Sequence, residues 1–427
     1  MGRALFSFAL PIAGVQLLQA AAGLAALLLL GRLGADALSA AATPVALCAL
    51  ACALFAPFAT GLMAAIAQAR ASRDEARIKN LITRGVRSAL LFGIADGATG
   101  VLGAPLFLRL ANVPPPVAST AVAFAQLLAV ALPAIFVFTT YSAALEALGA
   151  AGAAAGMLAA STLLFAGALF ALHAGALSVP LALLASTVPV ALAAAAILYA
   201  RSPRFRLDAS AGPPIFTARE IGALVRFDAP SAAQLLAVAF ADVALVAIAN
   251  EFGVRAGAAF LVVAATLAML SIPGAAIGAA VSVTPGSGRH ALPAYGLIAA
   301  ATCVAVYVFA SPVLAAIVPD PQAFAAARTG VYAVAWSALA LGVGTIVSSQ
   351  VVASDEGFWP AAIAISGVWL MLVPFARLFT LRWGLDGLWY SYAMTFIAVT
   401  LVQASAAPIL LRRARAHAAG GRRTTTP

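Results

Sequence analysis

The sequence predicts an all-α polytopic membrane protein, with twelve transmembrane helices arranged as two parallel-repeat six-helix bundles. Three observations carry this. Of the 427 residues, 64% are hydrophobic and 9% charged, whereas a water-facing surface needs roughly a quarter of its residues charged. Apolar runs long enough to cross about 30 Å of hydrocarbon, roughly 17–25 residues each, recur along the chain in place of the ten-residue alternation of a barrel. Finally, a hydrophilic stretch at residues 201–226, holding five arginines and three prolines, separates two blocks that begin alike.

In the first block, Phe8-Ala9-Leu10-Pro11 is followed by Gln16-Leu17-Leu18. In the second, Phe227-Asp228-Ala229-Pro230 is followed by Gln234-Leu235-Leu236. The opening helices are expected to end at Gly34 and Gly253, each 23 residues beyond its proline, and Pro57 of the second helix is answered by Pro273 of the eighth. The domain reading is an N-terminal bundle at 1–200, a cytoplasmic linker at 201–226, a C-terminal bundle at 227–411 and a basic cytoplasmic tail at 412–427.

The first span, 5–30, is too long for the apolar core of a cleavable signal peptide, and no small-residue cleavage site leads into a polar mature domain. The second, 44–69, runs from a proline to a basic cluster; the third, 88–108, lies between Arg87 and Arg109. Spans 119–145, 152–174 and 178–199 complete the first half. The second half reads 227–250, 258–283, 292–317, 327–352, 358–381 and 388–411, the last closed by Arg412-Arg413. Prolines at positions 11, 57, 133, 189, 230, 273 and 374 remove backbone donors inside or at the ends of spans, which a membrane helix tolerates where neighbours or cavity water satisfy the freed carbonyl.

Six spans return the chain to the side it left, so the second half enters as the first does and the repeats are parallel, not inverted. With a cytoplasmic amino terminus, only Arg32, Arg109, Arg255, Arg328, Arg377 and Arg382 of the 24 basic residues fall outside, which places both termini in the cytoplasm. The net charge of +10 is thus sorted by membrane side instead of gathered on a nucleic-acid-binding face, and no nucleic-acid partner is expected. Cys48 and Cys52 are one turn apart and Cys303 is alone, a pattern of small buried side chains with no metal or redox framework.

Several motifs resemble one family. Leu10-Pro11 with Gln16, the helix end Gly31-Arg32-Leu33-Gly34, the basic Arg73-Asp74-Glu75-Ala76-Arg77, Ile277-Gly278-Ala279-Ala280 and the turn Gly384-Leu385-Asp386-Gly387 are similar to the multidrug and toxin extrusion (MATE) transporters, especially their NorM-like branch, within the MOP flippase superfamily. The resemblance covers nearly the whole chain. It implies two six-helix bundles across a central cleft opened alternately to either side, and efflux of cationic organic compounds driven by inward sodium ions or protons. Relatives in the superfamily flip lipid-linked sugars, so fold alone does not fix substrate.

A coupled antiporter needs a group that takes up a cation on one side and releases it on the other, which a carboxylate in low dielectric does well. Asp96 lies near the middle of the third span and Asp242 near the middle of the seventh; Glu146, Asp228, Glu251, Asp355, Glu356 and Asp386 lie near span ends or in loops. Gln234, Val238 and Asp242 are spaced by four and share a helix face. NorM-like proteins carry a functional glutamate at the position matching Val238, which makes Asp242 its displaced equivalent; an interhelical hydrogen bond is the structural alternative for this aspartate. Asp96 is flanked by Gly93 and Gly97, a small-xxx-small pair that admits a neighbouring helix, so packing and coupling both remain open for it. Two acids usual in the family fall on apolar residues here, at Ala26 and near Leu341.

Gln16, Gln19, Gln126, Tyr141, Gln234 and Gln350 are candidates to line the substrate cleft, with Ser349, and with Phe124, Phe136 and Phe138 for stacking on aromatic cations. No Walker loop, metal-spaced cluster or nucleophile elbow occurs, so neither enzymology nor ATP-driven transport is expected. The expectation is a secondary active exporter of amphipathic, cationic organic compounds in a bacterial inner membrane, with no cofactor beyond the coupling ion, H+ or Na+, working as a monomer among membrane lipids. A flippase for a lipid-linked or amphiphilic substrate and a non-transporting scaffold derived from a transporter are the alternatives.

Overall fold

Hydropathy locates the part of a helix that lies in lipid, and the helices themselves run further. In the computed structural model, which describes residues 2–201, 215–226, 229–283, 288–352 and 358–421, the first half consists of α1 (Gly2–Arg32), α2 (Ala35–Ala71), α3 (Glu75–Leu110), α4 (Ala118–Ala147), α5 (Ala151–Ala171) and α6 (Ser178–Arg201). A short helix, α7 (Ala218–Arg226), precedes α8 (Ala229–Asn250), α9 (Val254–Val283), α10 (Gly288–Ile317), α11 (Pro321–Val352), α12 (Phe358–Ser366), α13 (Val373–Trp383) and α14 (Leu385–Gly421). Among the described residues, twelve segments are long and apolar enough to cross a membrane, α12 and α13 forming one of them. Asp228, Asp355, Glu356 and residues 202–214 of the linker lie outside the described residues, as does the end of the basic tail at 422–427.

The third helix begins at Glu75, well before the expected 88. Its polar first turns stand beyond the hydrocarbon, and Asp74 caps them by accepting the Arg77 N–H at 2.9 Å. The second helix likewise starts at Ala35, which leaves Pro44 inside it. In the eleventh span, a π turn at Gly367–Leu372 precedes Pro374, whose ring nitrogen has no hydrogen to give to that turn.

The internal repeat is visible in the backbone. Gly34 turns between α1 and α2 with φ 105, and Gly253 turns between α8 and α9 with φ 90; this is the left-handed region that only glycine enters without steric cost. The fourth helix of each half is also its hub. α4 packs on α2, α3, α5 and α6, and α11 packs on α9, α10 and α14.

Contacts divide the chain into two compact units, residues 21–251 and residues 1–20 with 252–427. The sequence division at 201–226 follows chain order, and this partition differs from it by a reciprocal exchange. α8, the first helix of the second half, packs on α2. The beginning of α1 goes the other way: Ala9 is buried in a cluster with Ile277, Val281, Tyr295 and Ile346.

Within the unit 21–251, the core runs from Phe55, stacked on Phe136 with ring centroids 4.1 Å apart, through Phe58 to Phe216. The α3–α4 seam is held close by the glycines noted in the sequence. A Cβ at Gly93 would lie 2.9 Å from Pro133 N and against Pro133 Cα, and one at Gly97 would lie 2.7 Å from Ala129 O. The helix that this small-residue pair admits is α4.

Candidate coupling site

Both candidate carboxylates belong to the unit 21–251. Asp96 projects from α3, half-buried. Asp242, also half-buried, sits on α8. That helix runs antiparallel to α2: Asn250 near its end donates to Thr43 near the start of α2, while Leu224, just before it, lies against Gly61. Asp242 is two turns before Asn250, about 12 Å along the axis, and two turns beyond Thr43 on α2 is Ala51, next to Cys52. Asp242 therefore lies at about the level of Ala51 along α2. Among the described residues neither carboxylate makes a hydrogen bond or an ion pair, so the interhelical bond considered for Asp242 does not form.

The positions where the family's acids are missing are filled by hydrocarbon. Ala26 is buried with Leu169 and Ala182, and Leu341 is half-buried on α11, where its carbonyl accepts the Thr345 hydroxyl at 2.8 Å.

The polar candidates divide between the two units. Gln126 donates to Val101 O of α3 at 3.2 Å, which joins α4 to α3. Tyr141 is 3% exposed, inside the phenylalanine-rich core. Gln234 is half-buried on α8 and shares its face with Val238 and Asp242. Gln16, Gln19 and Gln350 belong to the other unit. There, Gln19 is exposed and Gln350 half-buried, and the buried Oε1 of Gln16 has no hydrogen-bond partner among the described residues. Phe124 and Phe136 are fully buried, and Phe138 packs at the edge of the same core.

Sequence reasoning missed the polar groups that fasten these helices. Arg70 and Arg84 were counted only as membrane-side charges. Arg70 donates to Ala147 O at the end of α4 (3.2 Å), and Arg84 binds Glu220 of α7 at 2.7 Å. One signal was present: Thr217-Ala218-Arg219-Glu220 is a capping box. Glu220 Oε2 accepts the Thr217 N–H at 2.7 Å, and the Thr217 hydroxyl accepts the Glu220 N–H at 3.4 Å.

Twelve helical segments of membrane-spanning length among the described residues define a multi-pass integral membrane protein. Residues 11–171 match the MatE family model. The probable multidrug resistance protein YoeA of Bacillus subtilis is 24% identical over 425 residues, covering 94% of this chain and 92% of its own. Among solved structures, the inward-facing conformation of a multidrug resistance MATE family transporter of the MOP superfamily aligns with a TM-score of 0.77 at 19% identity, over 98% of this chain and 100% of the other. An outward-facing conformation of such a transporter gives 0.75 at 18% identity, over 96% of each. The resemblance read from the sequence is borne out: the chain matches the MATE family across most of its first half and has the MATE fold over nearly all its length. It is a multi-pass membrane protein with the fold of the MATE transporters.

Proposed function

We propose that the chain exports amphipathic, cationic organic compounds by alternating access, in exchange for an inward-moving cation, H+ or Na+. The observation that carries this reading is the pair Asp96 and Asp242. Each lies in mid-span, half-buried and with no hydrogen-bond or ion-pair partner among the described residues. A charged group inside a membrane protein is costly unless it is paired or used, and an unpaired carboxylate in low dielectric binds a proton or sodium ion at one face and yields it at the other. The multidrug resistance named for the Bacillus relative and for the MATE structures supports the substrate class.

Without the usual acids at Ala26 and Leu341, coupling rests on Asp242 and Asp96. The sorting of basic residues supports a bacterial inner membrane with both termini cytoplasmic. Function as a monomer, with small organic substrates and surrounding lipid as the only partners, completes the proposal.

The test is efflux of a fluorescent organic cation from proteoliposomes, with proton and sodium gradients imposed separately. Transport under one gradient that is lost in Asp242→Asn or Asp96→Asn is the expected result. Wild-type efflux in both variants would remove these residues from the mechanism. Absence of efflux by folded wild-type protein under either gradient would overturn the antiport reading in favour of lipid flipping or a scaffold.

A further inference from the structure

The helix that carries Asp242 is buried through Ala232, Ala237, Ala239 and Ala241 over most of its length and through Leu245, Val246 and Ile248 near its end. Alanines allow close approach while distinguishing poorly between one register and the next. Fastening the ends of the helix would resist a slip of one turn, about 5.4 Å, which would carry Asp242 along α2.

Buried polar groups fasten α8 at both ends. At the Gly34 end, Asn250 is 3% exposed. Its Nδ2 donates to Thr43 Oγ1 at 2.9 Å and to Ala111 O, just beyond α3, at 2.8 Å.

At the opposite end, the strap 215–226 is docked on α2 and α3. Arg84 of α3, 7% exposed, donates Nη2 to Ile215 O at 3.0 Å and to Glu220 Oε2 at 2.7 Å. Its guanidinium lies 4.4 Å from the centre of the Phe216 ring. The Phe216 N–H in turn donates to Ser88 Oγ at 3.1 Å. The strap cannot leave without stranding a buried cation, which makes Glu220 the counter-charge that keeps it in place. Because α7 ends at Arg226 and α8 begins at Ala229, the docked strap sets where α8 starts.

We infer that Arg84, Glu220 and Asn250 are positioning residues for the coupling helix: by fastening α8 at both ends, they fix its register on α2 and hold Asp242 at its level along that helix. The functional consequence rests on the coupling role proposed for Asp242, but the positioning can be measured without transport.

The experiment uses the full chain, purified and reconstituted, in wild-type, Glu220→Gln and Asn250→Ala forms. Each is treated with dicyclohexylcarbodiimide, and labelling of Asp242 and Asp96 is followed by peptide mass spectrometry. Asp96 stands on α3 and serves as the internal reference, since general loosening would speed both sites alike. Amide exchange of residues 215–226 is measured in parallel. Glu220→Gln keeps the side-chain volume at an exposed position, and the variant should therefore fold.

The expected result is a change of at least threefold in the ratio of Asp242 to Asp96 labelling in both variants. Exchange of the strap should rise at least tenfold in Glu220→Gln and stay as in wild type in Asn250→Ala. An unchanged labelling ratio in both variants would overturn the inference, as would an unaltered strap in Glu220→Gln. Failure of the wild type to transport would count against the antiport reading alone, because the labelling ratio is read whether or not transport occurs.

Discussion

Substituting Gly93 by alanine tests the packing of the seam beside Asp96. The added Cβ would lie 2.9 Å from Pro133 N, 3.2 Å from Leu132 C and against Pro133 Cα. All three are backbone atoms, so no side-chain rotation relieves the contact, and ordinary van der Waals separation requires α4 to move away by about half an ångström or more. Forcing one extra methyl into a packed interior costs about 1–3 kcal/mol, a factor of about 5 to 150 in the folded population. Intrinsic helix propensity works the other way, favouring alanine by up to about 1 kcal/mol in water.

Gly167→Ala is the reference, because nothing lies within 4 Å of a Cβ at that position; only the propensity effect operates there. Reversible unfolding of both variants in mixed detergent micelles, followed by circular dichroism, should show Gly93→Ala less stable than Gly167→Ala by about 1–3 kcal/mol and Gly167→Ala equal to wild type or more stable. Equal stability of the two variants would refute the account of a backbone-to-backbone seam.

Two further outcomes follow from charges outside the spans. The Arg84 hydrogen bond, with those from the Thr217 N–H and hydroxyl, lowers the Glu220 pKa from 4.5 to about 2. A depressed carboxylate gives stability that is fully present above its unfolded value and lost as the pH falls through its folded one. Intrinsic-rate-corrected protection of residues 215–226 should therefore hold from neutral pH to about 4.5 and fall as pH 2 is approached; a fall already complete at pH 5 would contradict the capped ion pair. Asp320 is lowered first by the Ala323 N–H and then by Arg255, so it acts mainly as the cap of α11. Asp320→Ala should cost about 0.5–2 kcal/mol in the same unfolding assay, whereas Arg255→Ala, which breaks a largely exposed pair, should cost about 0–1. The reverse order would show that the ion pair outweighs the cap.

The sequence by itself determined the spans and the repeat, because both are local properties. Whether a run of residues can cross hydrocarbon depends on its own transfer free energy. Whether Gly34 and Gly253 can turn the chain depends on the missing Cβ at each, and both adopt positive φ. The Gly93 and Gly97 pair was legible for the same reason: small residues announce a close approach wherever they occur. The sequence did not reveal which helix would approach. The tertiary structure alone decided the exchange that puts α8 on α2 and the start of α1 among Ile277, Tyr295 and Ile346. Hydropathy makes every span equally soluble in lipid and carries no record of its partner. That choice came from close packing of small residues and from a few buried polar groups, Asn250 and Arg84 among them, whose partners lie more than a hundred residues away.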